Sequence, residues 1–96
     1  MKKGNEKIYI AGRISGYEEY KEHFAKVEEE LQSLGHTVLN PAILPKGLTQ
    51  EEYMMICIPM LNICDSICML KGWESSVGAK IEHSLASQAS KTIYYE

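Results

Sequence analysis

The sequence predicts a small, doubly wound α/β domain built on a parallel four-stranded sheet. Strand-like and helical patterns alternate along the chain in the order βαβαβαβ, which is typical of a parallel sheet with helices on both faces. The segment "CDSICML", residues 64–70, is almost wholly apolar, as expected of a strand that is covered on both sides. The length of 96 residues suits one domain over residues 1–96. Right-handed crossovers then favour the strand order 2-1-3-4, a short flavodoxin-like (Rossmann-like) sheet.

The first half of the chain contains two strands and one helix. "KIYIA", Lys7 to Ala11, is rich in β-forming residues and predicts a central strand that ends at a glycine. Residues 18–34 form one helical stripe, with Gly35 as the residue just beyond its end. "HTVLNP", residues 36–41, predicts the second strand, stopped by Pro41. The apolar positions of the helix recur at steps of three and four; they are Tyr20, Phe24, Val27, Leu31 and Leu34.

The second half contains two helices and two strands. Thr49 and Glu52 form the pattern of a capping box, and the helix that they start runs to about Asn62. Pro59 lies within it and is expected to kink or shorten it. After the third strand, a serine at 75 or 76 caps the third helix, which extends to about residue 89. "KTIYY", residues 91–95, is the last strand.

Composition excludes several classes of function. The formal charge is -3, with ten Lys and Arg against thirteen Asp and Glu, and no basic block stands out. Long nucleic acid is therefore not an expected partner. The longest nearly apolar run, from Met54 to Cys64, is about half of what a membrane span needs, so no membrane association is expected.

The three cysteines point to a reduced, cytoplasmic protein. Cys57, Cys64 and Cys68 include no CxxC pair. We expect Cys64 and Cys68 to lie on one face of the third strand, too far apart for a disulfide. The histidines form no ligand-like pair with them, so neither a metal site nor a cofactor is expected.

A binding site is expected where the strand order switches, between strands 1 and 3. In open α/β sheets, ligands bind beyond the carboxyl ends of the strands at this point. Two loops rich in Gly and Ser follow these strands: "GRISGY", residues 12–17, and "KGWESS", residues 71–76. In the first loop, Gly12 and Gly16 permit close approach of a ligand, and Arg13 offers charge to a carboxylate or phosphate. A plain turn with a surface arginine is the alternative.

The start of the third helix, "ESSVGAKIE", is a second candidate region. A helix N-terminus presents free N–H groups, to which Ser75 and Ser76 add hydroxyl donors. Gly78 lets a ligand approach the first turn, and Glu82 lies on the same helical face. We expect Glu82 to be an ionised carboxylate that attacks an electron-poor carbon or stabilises a cation. A solvated helical glutamate is an equal alternative.

Three further residues are weaker candidates. Asp65 lies at the start of the third strand, where it either caps a backbone turn or is buried as a partner for polar groups. The hydroxyl of Tyr9, on strand 1, is placed to reach the Glu82 carboxylate, although core tyrosines are commoner. Trp73 either stacks on a ligand ring or packs against the protein.

Two segments, "IYIAGRISG" at residues 8–16 and "CDSICMLKGWESSVGAKIEHSLA" at residues 64–86, resemble the nucleoside 2-deoxyribosyltransferase-like superfamily. The closest resemblance is to its branch of uncharacterised proteins called DUF4406. The resemblance implies cleavage of the N-glycosidic bond of deoxynucleosides or their 5′-monophosphates. It implies Glu82 as the nucleophile on C1′, Tyr9 as the residue that orients it, and Asp65 as a residue that contacts the base or aids its departure. It also implies a set of residues that hold the substrate: Gly12, Ile14, Gly16 and Ser75 or Ser76.

Three functions are therefore in competition. The leading one is an N-glycosidase or 2-deoxyribosyltransferase that acts on a nucleoside or its monophosphate. The second is a non-catalytic module that binds a nucleotide or a nucleotide-derived signal. The third is a structural homo-oligomer with a vestigial site. A homodimer or larger assembly is expected in any case, because the second helix, "YMMICIPML", is more apolar than one buried face requires.

Overall fold

The computed structural model describes residues 5–96. Its elements follow the predicted alternation of strands and helices. They are β1 (Lys7–Ala11), α1 (Tyr20–Ser33), β2 (Thr37–Leu39), α2 (Gln50–Asn62), β3 (Ser66–Met69), α3 (Val77–Gln88) and β4 (Thr92–Tyr95). Two short 3-10 turns, at Pro41–Ile43 and Trp73–Ser75, lie in the loops before α2 and α3.

The four strands form one sheet in the order β2-β1-β3-β4, and every neighbouring pair is parallel. This confirms the predicted order. At the centre of the sheet, Tyr9 of β1 lies opposite Leu39 of β2 and Ile67 of β3. The carboxyl ends of β1 and β2 therefore open at the same edge, where the loops that start at Gly12 and Asn40 leave the sheet.

Helices cover both faces of the sheet. On one face, Ile8 and Ile10 pack with the apolar stripe of α1. On the other face, Tyr9 and Ala11 pack with the buried side chains of α2 and α3. Because successive side chains of a strand alternate between faces, the register of β1 directs Tyr9 toward α2 and α3.

One expectation about the cysteines is wrong. Cys64 precedes β3 and packs with the core under α2 and α3, whereas Cys68 packs with the core under α1. The two residues therefore do not share a strand face. Strand β3 begins at Ser66, two residues later than the apolar run suggested, so Cys64 lies outside the strand. All three cysteines are free and buried.

The predicted helix ends are confirmed where a local hydrogen bond defines them. The Thr49 side chain accepts from the Glu52 backbone N–H, and the Glu52 carboxylate accepts from the Thr49 backbone N–H, at 3.1 and 2.9 Å. Gly35 follows α1 with a φ of 91°, as its predicted position beyond the helix requires. Helix α2 continues through Pro59 to Asn62, so the proline does not shorten it.

Helix α1 begins two residues later than expected, at Tyr20. Residues 14–20 instead form consecutive turns, in which the Tyr17 N–H donates to the Ile14 carbonyl and the Tyr20 N–H donates to the Tyr17 carbonyl. The shift makes Tyr20 the first residue of the helix instead of the third, directly after the β1–α1 loop. Among residues 5–96, no helix is long and apolar enough to cross a membrane.

Candidate functional site

A cleft of about 930 Å³ opens at the carboxyl end of the sheet. Three parts of the chain form its walls: the β1–α1 loop, the β2–α2 loop with the first turns of α2, and the first turns of α3. This volume is in the range of pockets that hold small molecules. The position agrees with the general rule for open α/β sheets.

A hydrogen bond between Tyr9 and Glu82 lies in this cleft. The Tyr9 hydroxyl donates to Oε2 of Glu82 over 2.5 Å. The Tyr9 side chain has no exposed surface and Glu82 is 6% exposed, yet both line the cleft. The bond joins the central strand β1 to the second turn of α3. The sequence predictions that Glu82 faces the cleft and that Tyr9 reaches it agree with this geometry.

The protonation of Glu82 differs from the sequence expectation of an ionised carboxylate. Burial raises the pKa of Glu82 from its ordinary value of 4.5 to about 7, and the hydrogen bond from Tyr9 lowers it only in part. The pKa of Tyr9 is also raised, first by burial and then by the charge of Glu82, so its hydroxyl remains a donor. Near neutral pH, Glu82 is therefore present in both its acid and its carboxylate form.

Cys57 of α2 packs in the same core cluster as Tyr9. Burial raises the pKa of its thiol to about 11, which keeps it protonated at neutral pH. The thiol is also a hydrogen-bond neighbour of Tyr9. Tyr9 is thus packed between a carboxyl group and a neutral thiol, in a pair that is almost fully buried and lines the cleft. Low local polarity of this kind strengthens the electrostatic interactions within it.

The β1–α1 loop lines the cleft through Gly12, Ile14 and Gly16. A Cβ at Gly12 would lie 3.0 Å from the Cβ of Leu70, so this glycine lets the loop pack on the core. Gly16 has a φ of 72° in the left-handed region, which favours glycine. Arg13 does not line the cleft, because its Nε and a terminal guanidinium nitrogen donate to the carbonyls of Ser15 and Gly16. It holds the loop in shape.

At the start of α3, Ser76 is the cap. Its Oγ accepts from the Ala79 N–H over 3.2 Å, and it lines the cleft together with Gly78. A Cβ at Gly78 would lie 2.9 Å from Nε2 of Gln50, so this glycine lets α2 and α3 approach each other. Ser75 instead donates to the Gly72 carbonyl and does not line the cleft.

Two candidate residues lie away from the cleft. Asp65 is at the opposite, amino end of the sheet, where its carboxylate accepts from the Lys7 N–H over 2.8 Å. Trp73 stacks on His83, with ring centroids 4.5 Å apart, and borders a separate hollow of about 240 Å³. The loop "KGWESS" therefore reaches the main cleft only through Ser76.

Sequence reasoning missed the wall formed by residues 41–54. Tyr53 lines the cleft, and its hydroxyl donates to the Pro41 carbonyl over 2.8 Å, which ties α2 to the loop before it. Lys46 is the one lysine or arginine among the described residues that line the cleft. Its position in the fold could have indicated this wall, because the loop follows the carboxyl end of β2, the strand beside β1.

Comparison with known proteins places the chain in one family. The model of the family described as "Domain of unknown function (DUF4406)" matches residues 6–95, so the chain belongs to the DUF4406 family. No curated protein matches it. Within the described residues 5–96, no group of three or more His, Cys, Asp or Glu side chains is arranged to hold a metal ion.

The raised pKa of Glu82 predicts a pH dependence of stability. In the unfolded chain a glutamate loses its proton near pH 4.5, whereas folded Glu82 keeps it until about pH 7. Between these values the folded state binds more protons, so the free energy of unfolding falls as the pH rises, by about 3 kcal/mol in total. Above pH 7 this contribution is constant.

Glu82→Gln removes that dependence while keeping the shape of the side chain. We expect the variant to melt at a higher temperature than the wild type at pH 8, with the gap closing as the pH falls toward 5. Thermal unfolding at steps of half a pH unit measures this. A difference in melting temperature between the two proteins that stays constant across the pH range would contradict the raised pKa of Glu82.

Proposed function

We propose that the protein cleaves the N-glycosidic bond of a nucleoside or a nucleoside 5′-monophosphate, as a hydrolase or as a 2-deoxyribosyltransferase. One observation carries the proposal: a nearly buried carboxyl group, held by a tyrosine hydroxyl, opens into a cleft of small-molecule size. The resemblance of the segments around Tyr9 and Glu82 to the nucleoside 2-deoxyribosyltransferase-like superfamily supports the same reaction.

In the proposed reaction, the carboxylate form of Glu82 attacks C1′ of the sugar. The C1′–N bond breaks, its electron pair leaves with the base, and the base takes a proton from solvent. A C1′–O bond to Glu82 forms, giving a glycosyl ester that water or a second base then resolves. The charge that develops on C1′ is positive, and a close carboxylate stabilises it, as in retaining glycosidases. Tyr9 holds Oε2, which leaves Oε1 for the attack.

Other groups of the cleft suit the rest of such a substrate. The first turn of α3 and Lys46 supply positive potential for a phosphate. The β1–α1 loop, with Gly12, Ile14 and Gly16, lies at the same mouth. We assign no role in the reaction to Asp65, because it lies at the other end of the sheet. Three free cysteines accord with a reducing, cytoplasmic compartment.

Incubation with a panel of deoxynucleosides and their 5′-monophosphates tests the proposal, with free base followed by chromatography. We expect the wild type to release base from at least one substrate. Glu82→Gln is expected to lower kcat by orders of magnitude while binding survives, because an amide neither attacks C1′ nor offsets its charge. Tyr9→Phe is expected to cost less. Since the carboxylate is the reactive form, kcat/KM should rise with pH through about 7.

The raised pKa of Glu82 also favours one second function, a nucleotide-binding module. A protonated carboxyl group donates a hydrogen bond, which suits binding to an acceptor on a base or sugar. Binding of a panel member without any base release would establish this second function. Base release by Glu82→Gln at the wild-type rate would contradict the nucleophile assignment.

We further propose that the chain forms a homodimer or larger assembly through the outer face of α2. This face exposes Met55 and Ile56, at 70% and 40%, and Ile63 just beyond the helix is also exposed. Apolar side chains grouped in this way are typical of contact surfaces. Met54 and Met60 of the same helix are partly buried, so Met55 is the methionine of α2 that this face exposes.

The double variant Met55→Glu, Ile56→Glu is expected to convert the assembly to a monomer without lowering the melting temperature of the monomer itself. Light scattering after size exclusion, at tens of micromolar protein, measures the mass. Lys26→Glu, an exposed change on α1 at the other face of the sheet, is the control and should leave the mass unchanged. A monomeric wild type would contradict the proposal.

A further inference from the structure

Tyr20 differs from the other five tyrosines in the hydrogen bonding of its hydroxyl group. The other five tyrosine hydroxyls all have hydrogen-bond partners within the described residues. These are Tyr9 with Glu82, Tyr17 with His23, Tyr53 with the Pro41 carbonyl, Tyr94 with Glu6, and Tyr95 with His83. Within residues 5–96, the Tyr20 hydroxyl has no hydrogen-bond partner, although the residue is only 7% exposed.

The small exposed part of Tyr20 faces the cleft. Tyr20 is one of the residues that line it. Its ring packs edge-on against Phe24, at a centroid distance of 6.4 Å, within the core under α1. The one buried side-chain polar atom that lacks a partner among the described residues is Nε2 of His36, so the Tyr20 hydroxyl keeps contact with solvent. Since Tyr20 lines the cleft, we infer that the solvent in contact with the hydroxyl is that of the cleft.

The neighbours of Tyr20 belong to the same site. The pKa of Tyr53 is raised, first by burial and then by Cys57, Tyr20 and Glu82, so all three of these groups lie within electrostatic range of Tyr53. A hydroxyl donor on a nearly buried ring, without a protein partner, is costly to leave unpaired in a filled cleft. Its ring is already fixed by packing, so a ligand that pairs with it loses little additional freedom.

We propose that Tyr20 is a substrate-binding residue whose hydroxyl donates a hydrogen bond to an acceptor oxygen or nitrogen of the bound nucleoside or nucleotide. This rests on the proposed function for the nature of the ligand. The sequence stripe alone assigns Tyr20 to the core, and its ring does pack there. Tyr20 is the first residue of α1, directly after the β1–α1 loop, and it lines the cleft together with that loop.

Tyr20→Phe tests the proposal, because it removes one oxygen and leaves the packed ring. The dissociation constant for a deoxynucleoside 5′-monophosphate that the wild type binds is measured by calorimetry in the Glu82→Gln background, which prevents turnover. We expect Tyr20→Phe to raise it about 3- to 10-fold, the usual range for one hydrogen bond. The melting temperature without ligand should not fall, because no protein hydrogen bond is lost.

Tyr94→Phe is the matched control. Its hydroxyl donates to Glu6, away from the cleft. We expect it to lower the melting temperature and to leave the dissociation constant unchanged. An unchanged dissociation constant in Tyr20→Phe would overturn the inference, even if the wild type cleaves its substrate. A wild type that binds but never releases base would overturn the proposed reaction alone. Failure of the wild type to bind any panel member would overturn both.

Discussion

The hydrogen bond from Tyr9 to Glu82 imposes the main constraint on this domain. A carboxyl group that is almost fully buried is unfavourable in its charged form unless it is paired or hydrogen-bonded. Here a single tyrosine hydroxyl supplies the bond, and no cation among residues 5–96 lowers the pKa of Glu82. The result is a carboxyl group whose proton is held until about pH 7. A group that titrates near neutral pH in a cleft is typical of functional sites.

The rest of the fold positions this bond. The alternation of β1 turns Tyr9 to the face covered by α2 and α3, while Ile8 and Ile10 bind the sheet to α1. Ser76 fixes where α3 begins, and Glu82 follows six residues later on the face that meets β1. Gly78 lets α2 come close enough to form a wall of the cleft. The side chain of Glu82 then lines the cleft at the carboxyl ends of the strands.

The sequence predicted those features that local chemistry decides. The capping box at Thr49, the serine cap of α3 and the glycine after α1 are each defined by hydrogen bonds or dihedral angles within a few residues. The alternation of elements was sufficient for the strand order. The face of Glu82 followed from helical spacing. Its protonation did not, because it depends on burial by residues distant in sequence.

Features that depend on long-range packing were not predictable in the same way. Asp65 has a structural role, since its carboxylate accepts a hydrogen bond from the Lys7 backbone N–H, 58 residues away in the sequence. Trp73 stacks on His83, and the Ser75 hydroxyl donates to the Gly72 carbonyl, so neither side chain is directed to the cleft. The wall at residues 41–54 carries no pattern that marks a site. The ring of Tyr20 packs in the core, as the periodicity of the sequence indicates. Its hydroxyl has no hydrogen-bond partner within residues 5–96, and periodicity cannot reveal that.

Direct titration of Glu82 tests the central claim most closely. Carboxyl carbons of glutamate labelled with ¹³C report each side-chain pKa by NMR, and the signal missing from Glu82→Gln assigns this residue. The account predicts a midpoint for Glu82 near pH 7, well above that of the exposed glutamates, and a higher midpoint still in Tyr9→Phe, which lacks the hydrogen bond that favours the carboxylate. A midpoint near 4.5, unchanged in Tyr9→Phe, would contradict it.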